Sequence, residues 1–177
     1  MTQQQAAPEL SRPPAVDIRS VRPGDAELYK ELFATLSDNT IHQRYFAALK
    51  NPPQMILEWF QKPQDGQVAF VATKAIGGKE TMVGIARLVV EPDSNHAEFA
   101  VLIGDPWQGQ GIGAELMRRC LKSANTLGVK HVRGVTMPDN IRMIALAKSL
   151  GFSARLAVKA RLIVLEWEVP SGGSLEI

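Results

Sequence analysis

The chain has 177 residues, 45% of them hydrophobic, which is enough for one domain with a substantial core. Its formal net charge of +2 is too small to indicate a nucleic-acid or membrane partner. Cys120 is the only cysteine, which excludes an intramolecular disulfide and favours a cytoplasmic location. The sequence also lacks an apolar run of the roughly 18 residues that a membrane-spanning helix needs.

The two ends of the chain differ in composition from its middle. Residues 1–14 combine a glutamine run with three prolines and are predicted to form a disordered leader. Residues 171–177 begin with Ser-Gly-Gly-Ser and are predicted to form a flexible tail. The domain is therefore expected over residues 15–170.

The hydrophobic periodicity of the domain predicts strands first and a helical crossover later. Its first half should contain a strand, three helices and the two strands of a hairpin, over residues 16–21, 26–36, 40–49, 52–60, 67–74 and 81–91. Its second half should alternate strand, helix, strand and helix before two closing strands, over residues 96–103, 113–126, 131–136, 140–150, 153–158 and 161–169. Asp25 and either Ser37 or Asp38 are predicted helix caps. This order predicts an α+β sandwich around a mixed sheet.

Residues 108–113 read Gln-Gly-Gln-Gly-Ile-Gly and stand directly before the helix predicted at 113–126. The first backbone N–H groups of a helix have no intrahelical partner, and the helix dipole adds positive charge there. Such a site suits a phosphate, and glycines let the backbone approach it closely. The pattern therefore predicts a site for a diphosphate.

A dinucleotide-binding loop is one interpretation, since Gly109, Gly111 and Ala114 match the fingerprint G-x-G-x-x-G/A. That fingerprint directly follows the first strand of a βαβ unit, and an acidic residue ends the next strand. Here residues 105–107 intervene, and the strand at 131–136 ends without an acid. The context therefore argues against a dinucleotide.

An acetyl-CoA loop of the form (Q/R)-x-x-G-x-(G/A) fits better, with Gln108, Gly111 and Gly113 in the required places. The apolar strand before it and the helix after it agree with this interpretation. A glycine-rich turn without a ligand is the remaining alternative.

Residues 140–152 form the second informative segment. Its apolar positions recur at helical spacing, Asp139 or Asn140 is placed to cap the helix, and Gly151 is placed to end it. Together with the loop, this segment resembles motifs A and B of the GCN5-related N-acetyltransferase (GNAT) superfamily. The resemblance covers residues 16–169.

The resemblance implies the GNAT fold, a mixed and mostly antiparallel twisted sheet of about seven strands flanked by helices. It also implies acetyl-CoA as cosubstrate and no metal. The cofactor-binding residues are then Val101, Leu102, Ile103, Gln108, Gly109, Gln110, Gly111, Ile112, Gly113, Ala114, Asn140 and Met143. Many members of the superfamily carry a tyrosine as general acid where this chain has Ala147.

Glu98 is a lone carboxylate in the otherwise apolar strand that leads into the loop. Acetyl transfer to an amine requires the neutral amine, whereas a lysine ammonium has an ordinary pKa near ~10.4, so a base is needed. We expect Glu98 to be buried beside the cofactor loop and to act as that base. The alternative is an ion pair with a neighbouring cation such as Arg87.

Residues 36–46, Leu-Ser-Asp-Asn-Thr-Ile-His-Gln-Arg-Tyr-Phe, resemble the segment L-S-x-x-(S/T)-x-x-x-R-(F/Y)-F of Pat-type protein lysine acetyltransferases. Residues 97–101, with Glu98 as base, and Met143 resemble the same branch. The resemblance implies a lysine of an acyl-CoA synthetase as acceptor. Residues 51–57 replace the acidic stretch usual in that branch, and Arg44 fits a surface ion pair equally well.

Three hypotheses follow for the acceptor side: a protein lysine acetyltransferase, a small-molecule amine acetyltransferase, or an acetyl-CoA sensor without catalysis. A flat open groove near Glu98 would favour the first, and a deep apolar cleft lined with acids the second. An ion-paired Glu98 in a filled cleft would favour the third.

Overall fold

The computed structural model of the protein describes residues 16–62 and 65–170. The predicted leader and tail lie outside these residues. The elements are β1 (Asp17–Ser20), α1 (Asp25–Ala34), α2 (Asp38–Tyr45), α3 (Gln54–Gln61), β2 (Gln67–Ile76), β3 (Lys79–Val90), β4 (His96–Ile103), α4 (Ile112–Ala124), β5 (His131–Thr136), α5 (Ile141–Ser149), β6 (Ser153–Ala157) and β7 (Leu162–Glu168).

The seven strands form one sheet in the order β1-β2-β3-β4-β5-β7-β6. Every neighbouring pair is antiparallel except β4 and β5, which are parallel and joined by the crossover through α4. The predicted α+β fold, with a mixed and mostly antiparallel sheet, is confirmed.

Two hydrophobic clusters cover different faces of this sheet. One joins α1, α2 and α3 to Leu102 of β4, and the other joins α4 and α5 to Phe99, with Val101 and Ile103 packed against it. Successive side chains of a strand point to opposite faces. Glu98 and Leu102 therefore share the face of α1–α3, whereas Val101 and Ile103 point to the face of α4 and α5.

Several element ends differ from the predictions for local reasons. Asp25 was predicted to cap α1, but Gly24 is the N-cap, and the Asp25 carboxylate instead accepts from Arg19 (2.7 and 2.8 Å) and from the Arg22 N–H (2.7 Å). The end of α2 comes four residues before the predicted Leu49, because Phe46 takes a left-handed conformation with φ 56°.

The β4 and β5 ladder is short and opens into a wedge. Residues 96–98 of β4 pair with residues 131–133 of β5, and no further pairs of these two strands occur in the described ranges. Beyond Glu98, β4 stays paired with β3 as far as Ile103, and β5 stays paired with β7 as far as Thr136. The two strands therefore diverge towards their carboxyl ends, and the gap between them connects the two faces of the sheet.

The ring of Phe99 lies where the wedge begins. A Cβ atom on Gly134 of β5 would lie 2.6 Å from this ring, so the ring occupies the space that a side chain would need. Phe99 also packs edge-on against Phe152, with ring centroids 5.1 Å apart. The glycine in β5 thus allows an aromatic residue of β4 to pack at the base of the gap.

Candidate active site at the β4–β5 wedge

The glycine-rich loop has the backbone shape that the sequence predicts. Gly109 and Gly111 have φ of 75° and 80°, which non-glycine residues rarely adopt, and Gly111 is the N-cap of α4. The bond that closes the first turn of α4 runs from the Glu115 N–H to the Gly111 carbonyl at 3.1 Å. The amides before Glu115 are thus the helix donors that an anion would meet.

A cavity of about 810 Å³ extends from this loop into the wedge. It collects most of the predicted site residues: Glu98, Val101, Leu102, Ile103, Gln108, Gly109, Gly111, Gly113, Ala114, Asn140 and Met143. Ile112 and Gln110 are not among its lining residues. The Ile112 side chain is buried in the core, and the Gln110 side chain donates to the Pro106 carbonyl (2.8 Å), which leaves their backbone amides as the groups near the loop.

Gln108 connects three parts of the cavity wall. Its amide nitrogen donates to the Thr40 hydroxyl (3.2 Å) and to the Ile103 carbonyl (3.1 Å), and its amide oxygen accepts from Arg142 (2.8 Å). This one side chain therefore ties α2, the end of β4 and α5 together. The loop motif predicted the residue but not these partners.

Asp105, in the 3₁₀ turn after β4, holds the start of α2. Its carboxylate accepts from the Ser37 N–H (2.9 Å), the Ser37 hydroxyl (2.7 Å) and the Thr40 hydroxyl (2.7 Å). Partial burial alone would raise the pKa of Asp105, but these hydrogen bonds outweigh it and lower the pKa. The serine and threonine of the L-S-x-x-T segment thus serve to dock α2 on the loop, a role that the sequence analysis missed.

We expect Asp105→Asn to lower the free energy of unfolding at neutral pH by about 1–2 kcal/mol, because three hydrogen bonds lose their charged acceptor. A carboxyl whose folded-state pKa is lowered stabilises the fold above its unfolded pKa. That contribution disappears as the pH falls through the folded-state value. The difference between wild type and variant in urea unfolding should therefore shrink on acidification. Asp17→Asn, at an exposed strand position, serves as the control; a pH-independent difference would contradict this account.

Asn140 is the N-cap of α5, which confirms one of the two predicted alternatives, Asp139 or Asn140. Its side-chain oxygen accepts from the Met143 N–H at 3.1 Å, and the residue also lines the cavity. Since the cap uses the oxygen, the amide nitrogen remains as a donor for a ligand.

Asn140→Ser separates these two roles, because serine also caps helices well. The variant should keep the wild-type melting temperature but bind acetyl-CoA about five- to tenfold more weakly, the cost of one hydrogen bond. Titration calorimetry and thermal unfolding measure the two quantities. Full affinity and turnover in the serine variant would leave Asn140 with the capping role alone.

Glu98 is exposed, which corrects the expectation that its carboxylate is buried. It lies on the wall of the cavity, and among the described residues no salt bridge involves it, so the ion pair with Arg87 is not formed. The guanidinium of Arg87 instead lies 5.7 Å from the centre of the Trp59 ring. Burial and the nearby charge of Arg44 lower the pKa of Arg87.

Arg44 lines the cavity 4.8 Å from the Tyr45 ring centre and joins no salt bridge in residues 16–62 or 65–170, so the surface ion pair is wrong. Phe60 is a core residue, and Ala147 is buried in the core around α5. Trp107 packs at the edge of that core, with Lys74 over its ring at 4.9 Å.

Cys120 is buried, and burial raises the pKa of its thiol to about 12. In the described part of the chain no three His, Cys, Asp or Glu side chains are grouped to hold a metal ion. No helix there is long and apolar enough to cross a bilayer.

Comparison with known proteins agrees with this architecture. The Acetyltransferase (GNAT) domain family matches residues 16–153. The chain is 32% identical over 136 residues to Acetyltransferase Pat of Mycolicibacterium smegmatis. This alignment covers 76% of this chain and 40% of that protein. It is also 32% identical over 136 residues to Acetyltransferase PA5475 of Pseudomonas aeruginosa, covering 76% of this chain and 73% of the relative.

Among solved structures, the GNAT domain of S. lividans PAT superposes with a TM-score of 0.76 at 22% identity. The alignment covers 86% of this chain and 90% of that one. The chain thus spans about two fifths of the Pat relative, while its fold matches an isolated GNAT domain over nearly its whole length. On the family match and the two relatives, this chain belongs to the GNAT acetyltransferase family.

Proposed function

We propose that the protein transfers an acetyl group from acetyl-CoA to a primary amine, the side chain of a protein lysine, with Glu98 as the general base. The observation that carries this proposal is the position of the Glu98 carboxylate. It is exposed in the cavity, where the wedge begins, on the face of the sheet opposite to the glycine-rich loop.

The cofactor would enter from the face of α4 and α5. Its diphosphate would meet the amides that precede Glu115, and its arm would lie along the free edge of β4, past Ile103 and Val101, in the manner of an added strand. Val101 stands three residues beyond Glu98, or about 10 Å along the strand. An arm of this course brings the thioester into the wedge near Glu98.

The acceptor would enter from the face of α1–α3, where Glu98 points. The carboxylate takes a proton from the ammonium, and the neutral nitrogen attacks the thioester carbon. The new C–N bond forms as the C–S bond breaks, and CoA leaves as a thiolate. The proton that the acylated nitrogen loses neutralises this thiolate, and Glu98 returns its own proton to water. A thiol has an ordinary pKa of about 8.5, so the thiolate is a tolerable leaving group without a tyrosine at the position of Ala147.

A protein acceptor is supported by the mouth of the cavity and by the resemblance to the Pat-type branch. Phe46, Val135 and Ile141 line the cavity and are exposed by 39%, 46% and 67%. Exposed apolar side chains on the wall of one cavity suit a macromolecular partner better than a small polar amine. The resemblance in residues 36–46 points to a lysine of an acyl-CoA synthetase, and the single cysteine supports a reaction in the cytoplasm.

A non-catalytic sensor is the less favoured hypothesis because no ion pair within residues 16–62 and 65–170 neutralises the carboxylate in the cavity. The test is to incubate the protein with a lysate and isotopically labelled acetyl-CoA, followed by mass spectrometry of proteins and metabolites. Labelled lysines, absent when Glu98→Gln replaces the wild type, would support the proposal. Label confined to small amines would favour the second hypothesis, and binding without any labelled product would favour the sensor.

A further inference from the structure

Thr136, the last residue of β5, has a buried hydroxyl that the fold does not use. The residue is 2% exposed, and its Oγ1 atom has no hydrogen-bond partner among the described residues. Buried polar groups in proteins are nearly always hydrogen-bonded, since an unpaired hydroxyl costs about 1–3 kcal/mol. Thr136 is also one of the residues that line the wedge cavity, which a ligand can fill.

The strand register places this hydroxyl on the cofactor side of the sheet. Thr136 shares its face of β5 with Gly134, whose neighbour is the Phe99 ring of the α4–α5 cluster. Val101, Met143 and Leu146 also line the cavity on this face, together with Asn140, whose side-chain oxygen is used by the helix cap. Since no described residue pairs with the Thr136 hydroxyl, a polar ligand in the cavity can supply its partner.

The strand register also gives the position of Thr136 along the wedge. Glu98 pairs with Arg133, and both Val101 and Thr136 stand three residues further along their strands. Thr136 therefore faces Val101 across the gap, about 10 Å beyond Glu98. This is the stretch between the glycine-rich loop and the base, through which the arm of acetyl-CoA must pass.

We infer that the Thr136 hydroxyl hydrogen-bonds to the pantetheine arm of acetyl-CoA close to its thioester end, and so acts as a positioning residue for the acetyl group. This inference rests on the proposed function, in that the ligand is acetyl-CoA. The arm carries amide groups, and a hydroxyl can donate to an amide oxygen or accept from an amide N–H. The ligand thus supplies the partner that the free protein lacks.

The test compares wild type, Thr136→Val and Thr136→Ser by calorimetry and thermal unfolding. Valine has nearly the shape of threonine without the hydroxyl, whereas serine keeps the hydroxyl and loses the methyl. Each protein is titrated with acetyl-CoA and with 3′-phospho-ADP, the part of CoA that lacks the arm. Thr136→Val should bind acetyl-CoA about five- to tenfold more weakly and 3′-phospho-ADP as the wild type does, while Thr136→Ser retains most of the acetyl-CoA affinity.

Unfolding of the free proteins supplies a second, independent readout. Since valine removes an unpaired buried hydroxyl, free Thr136→Val should melt at or above the wild-type temperature. A Thr136→Val variant that is more stable than the wild type but binds acetyl-CoA more weakly would show that the hydroxyl serves the ligand and not the fold. Wild-type acetyl-CoA affinity in Thr136→Val, or equal losses for both ligands together with a lowered melting temperature, would overturn the inference. A wild type that does not bind acetyl-CoA would instead overturn the proposed function, and this inference with it.

Discussion

Replacing Glu98 by glutamine is expected to lower acetyl transfer by about 10²–10⁴-fold, the usual contribution of a positioned general base. The substitution keeps the shape of the side chain and removes the proton acceptor. Because the carboxylate lies on the acceptor side of the sheet, away from the glycine-rich loop, the affinity for acetyl-CoA should hardly change. Steady-state kinetics on any amine that the wild type acetylates, with calorimetry for the cofactor, measure the two effects.

The loss of activity should be specific to a carboxylate in the cavity. Glu168→Gln is a matched control, since Glu168 is an exposed glutamate on β7 that does not line the cavity. Near-normal turnover in Glu98→Gln would mean that the base lies elsewhere and that the proposed role of Glu98 is wrong.

The second large effect is expected at the loop, where Gly111→Val should abolish measurable CoA binding. A Cβ atom on Gly111 meets nothing within 4 Å, so the substitution does not fail by collision. Its φ of 80° is a conformation that valine avoids at a cost of about 1–3 kcal/mol. Relaxing that strain turns the backbone at the N-cap of α4 and redirects the amides that should hold the diphosphate.

Gly78 offers a control for the same strain at a distant place. It lies in the turn between β2 and β3 with φ 81°, and a Cβ there also meets nothing within 4 Å. Gly111→Val and Gly78→Val should therefore lower the melting temperature by similar amounts, whereas only the first should lose CoA binding by calorimetry. Equal affinity in the two variants would show that the loop backbone does not hold the cofactor.

Local sequence patterns were sufficient to predict the strand bounds and helix ends that depend on neighbouring residues alone. The predicted bounds of β4 and β5 are those of the structure, since each strand lies between a turn and a loop. The cap at Asn140 and the left-handed Gly151, with φ 87°, follow from residue types that favour those conformations. The end of α2 was predicted too late because Phe46, a residue type with no preference for left-handed backbone, terminates it.

The parts that the sequence did not predict depend on long-range contacts. Asp25 was interpreted as a cap, but its partner is Arg19 on β1, and a propensity cannot reveal that bond. The exposure of Glu98 depends on how far the helices cover its face of the sheet, since His96 and Arg133 on the same face are exposed as well. The apolar run around Glu98 suggested that the carboxylate is buried, because the sequence does not show that this face of β4 opens to the cavity.

The docking of α2 on Asp105 has a consequence for how acceptor preference can change between relatives of this chain. Helices α1–α3, which border the proposed acceptor side, come from residues 25–61, whereas the glycine-rich loop and its helix come from residues 105–124. A small polar joint, Ser37 and Thr40 against Asp105 and Gln108, connects the two segments near the cavity. Exchanging the early segment between relatives should thus transfer acceptor preference while retaining donor use, provided that the serine and threonine of the joint are inherited with it.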